Sequence, residues 1–433
     1  MRFRLLVIPL VAAMLLAACG GGGDDGGGGG ATGTVTVFNA MEPEEVAALQ
    51  EVVDDLINDR VEYEARIEGS SQFEEQAKIR IEGGNPPEIA MYPQPGAVIE
   101  WARQGRAVAL EDMGFDVDEM KETFGEYFMS LGEYNGKHYG VPTNINLKSM
   151  VWYPKRAFDA KGYRVPTTFA ELIALSQQIV RDGSAPWCVG FESGTATGWP
   201  ATDWMEDIML RTAGPDVYDR WVNHEIPFND PAVVRAGEVF GQVLFGQGFV
   251  LGGASNTTAI NFGDAPRPMF DDPPKCWLHR QANFIVSFFP EGAQAGVDYD
   301  WFPFPRIDQP GDAALFAGEL SVVFRDTPAV RDFIERFAGT EVQCASGGSV
   351  ATSRISPNVN VGPECYANEQ LADASQVLTA ALRAETARFD ASDLMPSAVG
   401  SGSFWTGMVR YVQGGPGALR GVLDDIERSW PPA

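Results

Sequence analysis

Strand, polar loop and helix alternate three times between Thr34 and Trp101, and that rhythm restricts the chain to an α/β sheet architecture. Thr34 to Phe38 alternates with the period of two expected of a strand, Asn39 to Glu42 is a polar loop, and Pro43 to Ile57 carries Val46, Leu49, Val53, Leu56 and Ile57 on one helical face. Pro43, Glu44 and Glu45 suit the start of that helix, where a missing N–H costs little and negative charge meets the positive end of the peptide dipoles. The pattern repeats with Val61, Tyr63, Ala65 and Ile67 as strand, Gly69 to Phe73 as loop and Glu74 to Glu82 as helix. A third round runs from Glu88 to Met91, through Tyr92 to Gly96, into a helix holding Trp101. Such alternation predicts a mostly parallel sheet, with a ligand beyond the carboxyl ends of the strands, at these loops.

Further along, Glu133 to Tyr139 reads as a hairpin turning at Asn135-Gly136. A second α/β stretch starts at Met150 and includes a helix from Phe169 to Asp182. Tyr299 to Pro305 reads as an extended crossover, Leu320 to Phe324 as a strand, Ala329 to Ala338 as a helix, and helices dominate from Asn368 onward. Roughly 400 residues of this kind exceed one typical core, which predicts two lobes.

The N-terminus predicts export. Arg2 and Arg4 precede an apolar run from Leu5 to Ala18, too short to span a bilayer and closing on small residues before Cys19. Residues 1–19 resemble a bacterial lipoprotein signal whose cysteine is acylated, which places the body on the outer face of the cytoplasmic membrane. Residues 20–33 are almost all glycine and form a flexible tether. The net charge of −27 argues against nucleic acid and anionic ligands. Beyond Cys19 four cysteines remain, Cys188, Cys276, Cys344 and Cys365, an even number in an oxidising compartment. Three pairings are open; Cys344 with Cys365 closes the most economical loop and leaves Cys188 for Cys276.

Catalytic apparatus is sparse. His138, His224 and His279 lack metal-ligand spacing, and phosphate-binding, nucleophile-elbow and metal motifs are missing, so neither an enzyme activity nor a cofactor or metal is expected. Asp203, Glu206 and Asp207 share one helical turn beside Trp199 and Trp204. A glycosidase needs two carboxyls flanking one bond, whereas carboxylates adjacent on one helix more often form a solvated face or a hydrogen-bonding edge. A surface glycoside hydrolase is the alternative that this group keeps open, and the acidity keeps open a polyamine or peptide binder.

Aromatic side chains interleave with amides and carboxylates in several loops. Ring faces cover the C–H faces of a sugar, and polar edges engage its hydroxyls. Gln72 beside Phe73, Asn144 and Asn146 before Trp152, Trp199 before Asp203 and Trp204, and Phe404 with Trp405 all keep that company. Trp152 follows a strand and suits the core as well as a ligand platform; Trp101 and Trp221 sit in helical patterns and are read as core. Trp199, between Gly198 and Pro200, is read as a ligand contact on a loop, and one of Phe404 and Trp405 as a second platform.

In this order the segments resemble bacterial extracellular solute-binding proteins of the maltose-binding, carbohydrate ABC-importer type, over nearly the whole chain from Thr34. The resemblance is carried by the lipoprotein start, Gly140 to Asn144, Phe316 to Glu319 and Ser403 to Trp405. The runs from Gly198 to Gly214 and from Pro273 to Pro290 resemble the α-glucoside-binding subgroup. It implies a two-lobe periplasmic-binding-protein-like fold with a hinge, lobe one at about 34–142 plus 305–339 and lobe two at about 146–300 plus 340–433. It also implies an interlobe cleft built by Glu42, Gln72, Gln94, Asn144, Asn146, Trp199, Asp203, Glu319 and Trp405, an oligosaccharide ligand, and membrane permease subunits as partners of a monomer.

Overall fold

The computed structural model describes residues 31–309 and 312–432; Cys19, the export signal and most of the tether lie outside the described residues. The opening rhythm appears as β1 (Gly33–Asn39), α1 (Pro43–Leu56), β2 (Tyr63–Gly69), α2 (Phe73–Glu82), β3 (Ile89–Tyr92) and α3 (Pro95–Arg103). Short helices α4 (Val117–Phe124) and α5 (Glu126–Ser130) lead to the hairpin of β4 (Glu133–Tyr134) and β5 (Lys137–His138). Its turn puts Asn135 and Gly136 at φ 52° and 73°, the left-handed pair that a tight two-residue turn requires.

Then come β6 (Val141–Leu147), β7 (Met150–Tyr153), α6 (Lys155–Ala160), α7 (Phe169–Arg181), β8 (Ala185–Trp187), α8 (Trp199–Ala213), α9 (Pro215–Val222) and α10 (Pro231–Leu244). The strands β9 (Cys276–Arg280), β10 (Asp300–Pro303) and β11 (Ala314–Val323) precede α11 (Pro328–Phe337), α12 (Thr340–Gly347) and α13 (Glu369–Arg383). The chain closes with β12 (Ala387–Phe389), α14 (Ala391–Leu394), α15 (Trp405–Gly414) and α16 (Leu419–Arg428).

Two sheets organise the lobes. The first runs β12-β11-β3-β1-β2, with β6 also paired to β11; the second runs β10-β7-β9-β8. In the first sheet β1 is parallel to β2 and β3, but β11 is antiparallel to β3 and β6, so it is mixed rather than mostly parallel. The reason is local: β11 returns from the other lobe instead of following a crossover helix, and it extends six residues earlier than the expected Leu320. Its far half pairs with β3, within a core of Val35, Val37, Ile89 and Val323, while Leu315 and Phe316 pack with the clusters of the second lobe. β6 and β11 thus connect the two cores. Between Glu319 and Leu320 their register slips, a bulge of the kind that bends paired strands.

The bridges are Cys188–Cys276, with Cα atoms 5.4 Å apart, and Cys344–Cys365, at 4.8 Å. The first ties the end of β8 to its parallel neighbour β9.

The helix α8 is fixed to the second sheet by a buried ladder of charges. Asp203, Glu206 and Asp207 are fully buried and hydrogen-bonded, so of the solvated face and the hydrogen-bonding edge left open by the sequence the second is found. Lys148 Nζ, at the end of β6, donates to Asp203 at 2.8 Å and to Asp390 at 2.5 Å. Asp207 accepts from Ser149 Oγ at 2.8 Å, from Arg280 at 3.1 Å and from Arg211. Glu206 accepts from the backbone N–H groups of Ala391 and Ser392 at 3.1 and 3.2 Å. Burial opposes charge on Lys148, but Asp203 and Asp390 beside it outweigh burial and keep it protonated.

Replacing Lys148 by Met removes the cation bonded to Asp390 and leaves Asp203 with Arg280, at 3.6 Å. Urea denaturation is expected to show a loss of about 3–5 kcal/mol, the usual cost of stranding one side of a buried pair; a loss below about 1 kcal/mol would contradict this account of the ladder.

Candidate ligand-binding cleft

A cavity with about 1090 Å³ of unfilled space, open solvent at its mouth included, lies between the lobes. The loops after β1, β2 and β3 supply one wall with Glu42, Ser70, Ser71 and Gln94, as the α/β topology dictates. Helix starts shape these loops. Glu42 caps α1 while its own N–H donates to Glu45 at 3.1 Å, and Gln94 precedes α3 and donates to Glu74 at 3.2 Å. Burial pushes Glu45 up to about 8, so this acid can donate as well as accept, and burial raises Glu74 as well.

Aromatic rings make the opposite wall. Trp199 packs against Phe262 and Phe284 with ring centroids 5.2 and 6.0 Å away, and Phe262 packs on Phe288 at 5.2 Å. Trp199 is the first residue of α8 rather than part of a loop, because Pro200 starts the helix and Gly198 adopts φ 114° before it. A Cβ at Gly198 would meet the Trp405 carbonyl at 2.3 Å, so glycine permits this helix end to sit against Trp405. Lys148 Nζ lies 5.2 Å from the centre of the Trp199 ring and holds that platform from below.

The floor is the connection between the lobes. Asn144 and Asn146 on β6 and Glu319 on β11 line it, with Asn144 opposite Glu319 across the ladder. Asn283 orders this region: its amide donates to Asn146 at 3.1 Å and to the Ser353 carbonyl at 2.6 Å, and its oxygen accepts from Leu147 at 2.8 Å. Gln94 Oε1, Asn144 Oδ1 and Arg354 Nε are buried and meet no partner in the protein. Buried polar groups are nearly always paired, so two open acceptors, one on the wall and one on the floor, and one open donor on a cavity-lining arginine suit a ligand bearing hydroxyls.

Of the residues singled out from sequence, Glu42, Gln94, Asn144, Asn146, Trp199, Glu319 and Trp405 line the cavity together. Gln72 does not; it precedes α2 and is exposed, while its neighbours Ser70, Ser71 and Glu74 face the space. Asp203 lies behind the wall, spent on Lys148. Three aromatics belong to the core instead. Trp152 packs on Phe289 at 5.6 Å and donates to the Gln281 carbonyl at 2.8 Å. Trp204 stacks on Phe240 at 5.6 Å, and Phe404 packs on Phe228 at 4.8 Å. Trp152 and Trp204 lie on elements buried on every side, β7 and α8, so neither alternation nor helical phase marked them as core.

Sequence reasoning also missed lining residues. Phe284 and Phe288 stand within the Pro273 to Pro290 run on a short 3-10 helix, Asn283–Phe288, which carries no α-helical spacing signal. Lys148, set between Leu147 and Met150, carried the signal of a lysine in apolar company. For Asp390 and Asp393 there was none; Asp390 caps the short helix α14, accepting from the Asp393 N–H at 2.9 Å.

Comparisons relate the chain to known proteins. Residues 42–343 match the family model for the bacterial extracellular solute-binding protein. The chain is 42% identical over 371 residues to the osmoprotective compounds-binding protein GgtB of Synechocystis sp., covering 84% of this chain and 85% of that one. It is 40% identical over 405 residues to the alpha-glucosides-binding periplasmic protein AglE of Rhizobium meliloti, covering 92% and 87%. In fold it is similar to the bacterial solute receptor AcbH, with TM-score 0.76, 17% identity and 92% and 98% of the chains covered. It is similar too to maltose-bound MalE3 of T. maritima, with TM-score 0.71, 15% identity and the same coverage. On sequence and fold together, this chain belongs to the bacterial extracellular solute-binding proteins.

Proposed function

We propose that the protein captures an α-glucoside oligosaccharide between its lobes and delivers it to the permease of an ABC importer, tethered outside the cytoplasmic membrane by an acylated Cys19. The observation that carries this reading is one cavity with ring faces on one side and amide and carboxyl edges on the other. That combination suits a pyranose, whose faces are C–H and whose rim is hydroxyl. Two relatives aligned over most of their length are named for osmoprotective compounds and for alpha-glucosides, and the second name agrees with a hydroxyl-rich ligand.

The lobes are assigned as 34–142 plus 305–339 and 146–300 plus 340–433, and the ligand contacts as the seven lining residues named from sequence together with Phe284 and Phe288. Sugar held by one lobe gains contacts from the other only on closure, so differential affinity for the closed form drives the hinge. No catalytic step belongs to this reading: Asp203, Glu206 and Asp207 are each engaged within the protein. The cavity's two cations, Lys148 and Arg354, already face carboxylates, while burial pushes Glu45 up to about 8 and shifts Glu74 upward, which favours a hydroxyl-rich ligand over a polyamine.

Isothermal titration with maltose, trehalose and sucrose is expected to find a ligand, and Trp199→Ala to weaken it about tenfold or more, roughly 1.4 kcal/mol, with little change in melting temperature. Unchanged affinity in that variant would remove Trp199 from the site. Affinity should also depend on pH. In this structure burial holds Glu45 up at about 8; on the proposed hinge motion the open lobes expose it, so closure takes up a proton, and binding is expected to weaken as pH rises from about 4.5 to about 8 and then level off. Affinity that is flat or rising across that window would contradict this linkage.

A further inference from the structure

The chain passes the cleft a third time between α12 and α13, in a segment outside helix and strand except for one short turn at Pro363–Cys365. Cys344 and Cys365 close this segment into a loop, and two residues inside it, Thr352 and Arg354, line the cavity. Arg354 is 3% exposed. Its Nη1 donates to Glu319 Oε2 at 3.2 Å, and its Nη2 donates to the Thr143 carbonyl at 2.9 Å. Thr143 and Glu319 belong to the two strands that join the lobes, and Glu319 sits at their bulge. One guanidinium fork from a third segment therefore grips both connecting strands, and it occupies one oxygen of a carboxylate that faces the ligand space. We propose that Arg354 is the positioning residue of the cleft, aiming Glu319 at the ligand, and that the Cys344–Cys365 bond is what holds Arg354 in place. This rests on the reading of the cavity as a saccharide cleft.

Geometry on either side of Arg354 agrees. The Ile355 carbonyl accepts from the Ile145 N–H at 2.9 Å, so the loop adds a bridge to β6 beside Asn144 and Asn146. The Ser353 carbonyl accepts from Asn283, whose amide also orients Asn146. On the other side, the Val359 N–H donates to the Thr123 carbonyl at 2.9 Å and Asn358 donates to the Ala338 carbonyl at 3.1 Å, so the loop is anchored to the first lobe as well. A fork geometry is what arginine supplies and lysine does not. Losing it frees Glu319 to rotate and unties Thr143, without removing any ring or amide from the cleft wall. A disulfide limits how far the loop can drift, because its backbone has few ladder bonds of its own.

The test is a double-mutant cycle on the full-length protein, using Arg354→Gln, Glu319→Gln and both together, titrated with whichever of maltose, trehalose and sucrose binds the wild type. Each single variant is expected to lose about tenfold in affinity, the pair to lose no more than either alone, and Arg354→Lys to recover part of the loss. Losses that multiply in the double variant, or an Arg354→Gln affinity within about twofold of wild type, would overturn the proposal. Should Arg354→Gln fail to fold, the Cys344→Ser/Cys365→Ser variant decides: a loss of threefold or more that disappears in the Glu319→Gln background supports the role, and wild-type affinity overturns it. If the wild type binds none of the three sugars, the saccharide reading fails and takes this proposal with it; if it binds but the cycle is additive, only this proposal falls.

Discussion

A lysine buried between two aspartates is the interaction on which the cleft depends. Lys148 ends the strand that crosses from one lobe to the other, and it is tied at once to Asp203 of α8 and to Asp390 before α14. It therefore fixes three separate stretches of chain at one point beneath Trp199. Buried ion pairs are weak sources of net stability, because desolvation consumes most of the attraction. Their geometric demand is strict, however, and here it sets the angle at which an aromatic platform meets the cavity. The surrounding ladder through Asp207, Arg211, Arg280 and Ser149 extends the same constraint along α8.

Above that point the cleft divides its work by chemistry. Loops after parallel strands expose helix starts, whose capping residues are polar by necessity, and Glu42, Glu45 and Gln94 are those residues. The second lobe offers rings because Trp199, Phe262, Phe284 and Phe288 lie at the edge of a core that is already aromatic. Between the two walls, β6 and β11 supply the amides and the carboxyl of the floor. A cavity assembled from capping groups, rings and a strand crossing is selective for amphipathic solutes with hydroxyl rims, and it changes shape when the crossing bends.

Much of this was legible in the sequence, and the failures have physical causes. The opening helices and strands came out within a residue or two because their periodicities are strong and their loops polar, as in Val46, Leu49 and Val53 on α1. The mixed pairing of β11 could not be read, since a local pattern carries no information on which distant strand will be its neighbour. Among the aromatics, Trp199 and Trp405 face the cavity while Trp204 and Phe404, one to five residues away, face the core; composition alone does not separate them. Helical phase does not separate them either, because α8 is buried on every side from Pro200 to Thr212. Asp203 was assigned to the ligand on its company of tryptophans, yet the structure spends it on Lys148, a partner 55 residues earlier.

The account's central claim is that a saccharide shuts the two lobes upon itself. Small-angle X-ray scattering of the protein with and without saturating maltose, trehalose and sucrose tests this most directly. The account predicts that at least one sugar lowers the radius of gyration and sharpens the distance distribution, as expected for lobes that draw together. Superimposable profiles with every sugar, including one that calorimetry has already shown to bind, would contradict it.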